Sequence, residues 1–382
     1  MNRDWETKTL NQIAINLDSK RIPITKADRI SGEHPYYGAS GVVDYVDSYI
    51  FEGDVLLISE DGANLLARTT PIAFAASGKF WVNNHAHILQ FSDLTTQRFV
   101  ELYINSIALD EYITGAAQPK LNQAALNSIP VPFPCPEEQR RIVTLLDEAF
   151  ADIATAKANA EKNLQNAREL FNSKLDAIVV HAQENGEVVA LSELATDITD
   201  GDHMPPPKVQ HGLPFITIGN IDKQTRTIDF SDTFKVPREY FDALKANKRP
   251  MRGDVLYTVT GSFGIPVLVE DDAEFCFQRH IGLIRPKADV DSTWLHYLLQ
   301  SPQVFKQAAD GATGTAQKTV SLKVLRNLQV PRISLKAQSA HVETLRSVEA
   351  ECRRLESIYR QKLTALDDLK KSLLHQAFSG QL

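Results

Sequence analysis

Gly53-Asp54-Val55-Leu56 returns 200 positions later as Gly253-Asp254-Val255-Leu256, each copy leading from a turn residue into a β-branched, apolar run. Further matches come in the same order. Gly115-Ala116-Ala117-Gln118 pairs with Gly314-Thr315-Ala316-Gln317, and Val131-Pro132 with Val330-Pro331, both displaced by 199. His85 pairs with His280, displaced by 195. Four ordered matches at nearly one offset predict an internal duplication with a pseudo-two-fold relation between two folded halves. The length of 382 residues exceeds the roughly 100 to 200 of one ordinary domain and leaves room for two cores.

Each half runs on into a helical segment. After Pro132-Phe133-Pro134-Cys135-Pro136, residues 137 to 183 contain neither Pro nor Gly. Ile142, Leu146, Ala149, Ile153, Ala156, Ala160, Leu164, Ala167, Phe171, Leu175 and Ile178 alternate steps of three and four, a coiled-coil seam. The second copy carries Val342, Leu345, Val348, Cys352, Leu355, Ile358, Leu366, Leu369 and Leu373. At 1.5 Å per residue each helix should run on the order of 65 Å. Seams at equivalent places predict that the two pair with each other, antiparallel because a globular half intervenes.

Within the halves, Gly41 to Val46, Val55 to Ile58, Phe215 to Ile218 and Val255 to Val259 read as short strands. Helices are expected at 96 to 113 and 292 to 309. Two smaller ones should start at Asn122 and Ser321, good N-caps flanked by the staple pairs Leu121 with Leu126 and Val320 with Leu325. The fold class is therefore α+β, two mixed, strand-rich domains with two long antiparallel coiled-coil helices. The divisions fall at 1–135, 136–185, 186–333 and 334–382.

Composition narrows the function classes. Hydrophobic residues at 43% and charged residues at 23% exclude wholesale disorder and a membrane bundle. A polar N-terminus and the lack of any apolar run near 18 residues predict a cytoplasmic protein without membrane contact. Cys135, Cys276 and Cys352 lack CxxC spacing and read as reduced thiols. A net charge of -7 has the wrong sign for gripping nucleic acid alone, so a DNA role needs local basic patches or a basic partner.

Catalytic motifs are missing: there is no GxxxxGK loop, HExxH, GxSxG elbow or Asn/Asp-Pro-Pro-aromatic motif. His85 and His87 would share one side of a strand and could bind a metal, but the position matching His87 is Gly282, which favours a structural histidine. Glu60-Asp61 and Asp271-Asp272 read as solvated loops. Polar loops at matching strand ends remain as candidate DNA contacts. The first half offers Ser59, Asp61, Asn64, Asn84, Gln118 and Lys120. The second offers Thr260, Ser262, Gln278, Arg279, Thr315, Gln317 and Lys318. Such side chains supply the donors and acceptors that read base edges. Lys245, Lys248, Arg249 and Arg252 form the densest basic patch, suited to backbone phosphates. The loop Gly311 to Lys318 precedes a helix start, another place for a phosphate.

This layout resembles the specificity subunits of type I restriction-modification enzymes along the whole chain. The resemblance rests on Ile129-Pro130-Val131-Pro132 followed by Glu138-Gln139-Arg140-Arg141-Ile142, on Tyr36-Tyr37-Gly38-Ala39-Ser40-Gly41, and on the ending Leu373-Leu374-His375-Gln376-Ala377-Phe378-Ser379-Gly380-Gln381-Leu382. One departure is Ser334-Leu335-Lys336-Ala337-Gln338, where the family carries a Glu-Gln pair. The resemblance implies a non-catalytic subunit whose two target-recognition domains read a bipartite site on double-stranded DNA. It implies two methyltransferase subunits docked on the helices, and restriction subunits where the system has them. No cofactor is expected in this chain: S-adenosylmethionine belongs to the methyltransferase, ATP and Mg to the restriction subunit. The competing expectation is a coiled-coil scaffold that reads no DNA.

Overall fold

The computed structural model describes residues 5–115, 117–203, 206–315 and 317–382. Two compact units divide the chain, one formed by residues 1–161 with 361–382 and the other by 162–360. The helices thus form no unit of their own. Each unit takes a strand-rich half together with one end of both long helices, Pro136–Asn185 and Leu335–Phe378.

The duplication is visible strand by strand. In the first unit a four-stranded sheet runs in the order Ile15–Asn16, Ala86–Gln90, Val55–Ser59, Ala73–Ala76. In the second the order is Ala195–Asp200, Ile281–Pro286, Val255–Thr258, Pro266–Leu268, so the two Gly-Asp-Val-Leu copies begin equivalent central strands. A ribbon of Glu6–Thr9 with Pro130–Phe133 matches one of Glu187–Ala190 with Gln329–Arg332. Each unit also has a second sheet containing one parallel pair, four-stranded with Ser31–Gly38 beside Lys79–Val82 in the first and three-stranded with Leu213–Ile216 beside Cys276–Phe277 in the second. The run expected to end at Ile218 stops at Ile216, because residues Ile218–Asn220 turn into a 3-10 helix held by a capping box between Thr217 and Asn220.

The helices pair antiparallel within each unit. Arg141 donates to the carbonyl of Leu382 and Lys157 to Asp367, while in the other unit Arg168 meets Glu356 and the His181 ring meets that of His341. Every seam residue of the first helix is buried or half-buried. On the second helix Ile358 and Leu369 are exposed, and the half-buried positions between them are Tyr359, Leu363 and the expected seam residue Leu366. A purely apolar count missed the phase there, because an amphipathic Tyr occupies a seam position.

Asn122 and Ser321 accept the amides of Ala125 and Val324, and all four staple residues are buried. The expected helix at 96 to 113 spans Leu94–Ser106, with a separate 3-10 turn at Asp110–Tyr112. Its counterpart breaks into Ser292–Gln300 and Pro302–Gly311. Pro302 cannot continue a helix but fits a first turn, where Ser301 caps it by accepting from Val304 N.

Core residues of the second unit join the strands to the helices: Trp294, Leu298 and Val330 pack in one cluster with Leu175, Val179 and Leu345. Trp294 stacks on His341 with ring centroids 5.4 Å apart. Trp294→Ala should therefore destabilise this unit by about 3–5 kcal/mol, read as a lowered urea midpoint, and an unchanged midpoint would contradict the packing.

The departure at the second helix start also has a structural answer. Gln139 is buried, accepting from Thr96 Oγ1 at 3.0 Å and donating to the carbonyl of Pro134. Gln338 stands 199 positions later, accepts from Asp291 N at 2.7 Å and donates to the carbonyls of Asp289 and Ile333. The glutamine that pins each helix to its strand-rich half is retained; only Glu138 has no counterpart, Ala337 standing there.

Candidate nucleic-acid interface

Three segments meet at the end of the central strand in each unit. In the first they are Glu60-Asp61, the turn Asn83 to His85, and the loop Thr114 to Lys120. Lys120 makes bridges with both Asp61 and Thr114, Gly62 N donates to the carbonyl of Pro119, and Leu121 N to that of Glu60 at 2.8 Å. In the second, Thr319 bridges Thr260 and Thr313, Gly261 N donates to the carbonyl of Lys318, and Val320 N to that of Val259 at 2.8 Å. The loops turn at Gly115 and Gly314, with φ of 84° and 108°. A Cβ at either would come within 2.4 Å of the carbonyl oxygen of Gln118 or Gln317, so only glycine closes the turn.

From these faces Asn84, Gln118 and Lys120 project in the first unit, and Arg279, Thr315, Gln317 and Lys318 in the second; all are exposed. Arg279 Nε donates to His280 Nε2 at 3.3 Å. Burial, Arg279 and His203 together hold the His280 imidazole below its ordinary pKa, so its ring nitrogen is free to accept.

Several expected contacts are otherwise engaged. Ser59 is buried and its hydroxyl donates to the carbonyl of Ala39, tying down the Gly38–Gly41 hairpin tip. Thr260 is buried and accepts from Thr319 Oγ1. Asn64 closes its own loop through Thr69 and Thr70. Asp61 pairs with His85 at 2.8 Å. Ser262 and Gln278 are half-buried; the Ser262 carbonyl accepts from Thr258 Oγ1, and Gln278 N donates to the carbonyl of Ile216. Strand alternation and neighbouring loops decide these fates, and residue type alone does not carry that information.

The basic patch is also largely internal. Lys248 donates to the carbonyl of Gly201, and Arg249 to those of Asp242 and Leu244 while stacking on Phe241. Lys245 and Arg252 remain exposed. The helix after Lys318, Leu322–Arg326, has five residues and Ser321 takes its first-turn amide, so it offers no phosphate seat.

Glu60 is no solvated loop residue. It accepts from Arg21 at 2.6 Å and lies 3.1 Å from Lys120. His85 precedes the strand and is exposed, whereas His87 is buried within it, so the two do not share a side. His87 Nδ1 lies 2.5 Å from Asp18 Oδ2, and Nε2 lies 2.7 Å from the carbonyl oxygen of Leu121. Asp18, Glu60 and His87 bring ligand atoms within 4.8 Å of one another, but each already has a protein partner. Burial would raise both carboxyls; the hydrogen bonds and charges of His87, Arg21 and Lys120 outweigh it and hold them below their ordinary values. This ionised network anchors the loop that carries Gln118 and Lys120. Sequence reading missed Asp18 and Arg21, whose partners are 39 to 70 positions away.

Fold and faces together define a duplicated α+β protein with two equivalent strand-end surfaces. The sequence matches the type I restriction modification DNA specificity domain twice, over residues 2–164 and 183–365, and the chain belongs to that family. As a member it serves as the DNA sequence-specificity subunit of a type I restriction-modification enzyme. A Haemophilus influenzae protein assigned as such a subunit is 28% identical over 71% of this chain and 69% of its own length. The MjaVIII specificity subunit of Methanocaldococcus jannaschii is 23% identical over 99% of this chain and 93% of its own. In fold the chain is similar to a component of a type I system solved in a study of complex assembly and conformational transition, with a TM-score of 0.75 at 17% identity, covering 99% of this chain and 98% of that one. It is also similar to the HsdS subunit of Thermoanaerobacter tengcongensis, with a TM-score of 0.62 at 17% identity over 100% and 98% of the two chains. The scaffold expectation is not favoured. Among the described residues no helix is long and apolar enough to cross a membrane.

Proposed function

We propose that each unit reads one half of a bipartite target on double-stranded DNA, using the strand-end face that the duplication repeats. That repetition is the observation that carries the reading: two units present polar, exposed side chains at the same place in the same fold. Asn84, Gln118 and Lys120 serve one half-site, and Arg279, Thr315, Gln317 and Lys318 the other. Gln and Asn suit adenine, and Arg suits guanine. Two methyltransferase subunits dock on the helix pair and bring S-adenosylmethionine; restriction subunits bring ATP and Mg. The chain itself is non-catalytic and acts in the cytoplasm. Its charge of -7 fits a grip on DNA shared with those partners.

The test is duplex binding across a salt series with the methyltransferase present. A steep salt slope and preference for one sequence are expected; the absence of both would favour the scaffold. The purified chain alone should transfer no methyl groups to DNA, and detectable transfer would refute a purely reading role.

Within the second face, Arg279→Ala or Gln317→Ala should cost roughly 1–3 kcal/mol of discrimination at one base. Lys318→Ala should weaken cognate and random DNA alike and flatten the salt slope. Lys248→Ala should leave the slope nearly unchanged, although its residue type and basic neighbours suit a phosphate contact, since its ammonium is spent on Gly201 and Asp200. Competition binding at several salt concentrations separates these outcomes.

A further inference from the structure

The two units differ where the sheets that hold the parallel pairs turn. In the first, Ser31–Gly38 and Gly41–Val46 meet in a tight hairpin. In the second, the strands Leu213–Ile216 and Phe234–Val236 are joined by the excursion 217–233. It is a built loop. Asp222 Oδ1 accepts from the amides of Gln224 and Thr225 at 2.7 Å each, Arg226 N donates to the carbonyl of Asp222, and Asn220 donates to that of Asp232. Arg226 sits at φ 54°, a left-handed conformation that an arginine adopts only under constraint.

Within the second unit this excursion walls an open cleft of about 1140 Å³, lined elsewhere by the helix Ser292–Gln300 and by the long helices. That volume is somewhat larger than a typical small-molecule site, so a small ligand would fill only part of it. Its acids are engaged or at the rim. Glu349 accepts from Tyr297 Oη at 2.8 Å and from Arg353 at 2.7 Å, and Glu356 from Arg168 and Arg360. Glu270 and Asp271 are exposed at the mouth. Three cations lack an acidic hydrogen-bond partner among the described residues: Lys223, Arg226, and Arg346, which donates only to Thr293 Oγ1 at 3.1 Å. Burial pushes the Arg226 guanidinium down from its ordinary pKa, against the pull of Glu349. Beside it His296 Nδ1 is buried with no hydrogen-bond partner, and burial with the charge of Arg226 pushes that imidazole down to about 4. A buried polar atom of this kind costs stability unless something satisfies it. Apolar surface completes the lining: Phe230, partly exposed, packs edge-on against Phe275 with centroids 5.6 Å apart.

We propose that this cleft binds a small nucleoside phosphate, its phosphate oxygens on Arg226, Arg346 and Lys223, its base against Phe230. Planar guanidinium groups match phosphate oxygens, and an aromatic face suits any base. The site goes beyond DNA reading and uses none of the residues assigned to it.

Calorimetric titration of the full chain with inorganic phosphate, pyrophosphate, ATP and a short duplex tests this. Expected are one saturable ATP site, weaker pyrophosphate binding, still weaker phosphate binding, and no displacement of ATP by the duplex. Arg226→Gln and Arg346→Gln should each weaken ATP binding by about tenfold or more, since each removes a charge-assisted phosphate contact. Phe230→Ala should weaken ATP but leave pyrophosphate as it was, and Lys323→Gln, outside the cleft, should change neither. Unfolding midpoints of all four variants report whether they fold; Arg346→Gln alters a helix surface and tests the site even if Arg226→Gln disturbs its loop. No saturable binding of ATP or pyrophosphate at millimolar concentration would overturn the proposal. So would binding that both arginine variants leave intact, or duplex DNA displacing ATP, which would assign the cations to DNA backbone phosphates.

Discussion

Exchanging residues 186–333 for the matching segment of a related subunit is expected to replace one half-site of the recognised sequence and leave the other as it was. The junctions favour such an exchange. Glu187 pairs with Arg332 in the ribbon that closes the second strand-rich half, so the exchanged segment leaves and re-enters the long helices at neighbouring points. All the exposed side chains proposed to read the second half-site lie inside it, and none of the first set does. What limits the exchange is the core beneath. Trp294, Leu298 and Val330 from the segment interlock with Leu175, Val179, Val342 and Leu345 from the helices, and Asp291 N donates to Gln338. A donor segment must keep bulky apolar residues at those places, or the variant will lose several kcal/mol through cavities and clashes. Methylated-adenine mapping in a host expressing the hybrid with its methyltransferase reads the result. A change in both half-sites would show that the halves do not read independently.

The parts of the fold that sequence makes legible are those written in local periodicity or short motifs. The duplication shows in four ordered matches, the long helices in a seam of steps three and four, and the Asn122 and Ser321 caps in a polar residue between staple partners. Phase was less secure: Ile358 and Leu369 are exposed beside the half-buried Tyr359 and Leu363. The candidate faces were legible only as loops. Whether a polar side chain there points to solvent or inward depends on long-range partners. Ser59 is buried against Ala39, Thr260 against Thr319, and Glu60 reaches Arg21 across 39 positions. Lys248 and Arg249 make the same point: a basic run near a strand end is as good at capping carbonyls as at meeting phosphates.

Lengthening both long helices by one heptad is expected to lengthen the spacer between the half-sites while leaving the half-site sequences unchanged. A heptad keeps each seam in phase, and seven residues at 1.5 Å add roughly 10 Å to the pair. The pairing within each unit fixes where the insertions must go. Lys157 lies opposite Asp367 and Arg168 opposite Glu356, so an insertion after Glu161 is level with one after Lys362. Placed there, the new turns face each other, and native pairs such as Arg141 with Leu382 or His181 with His341 keep their partners. Insertions at unmatched levels would instead force a stretch of each helix to pair out of register. On DNA, where about 10 base pairs span roughly 34–36 Å, the added length corresponds to at most about 3 base pairs. Three extra base pairs also rotate one half-site by about 100° around the duplex, a twist that a stiff helix pair resists. The observed gain should therefore be between one and three base pairs, with slower methylation. Genome-wide mapping of methylated adenines in a host carrying the lengthened subunit decides the matter. An active enzyme with its original spacer would mean that contacts other than the helix pair set the distance.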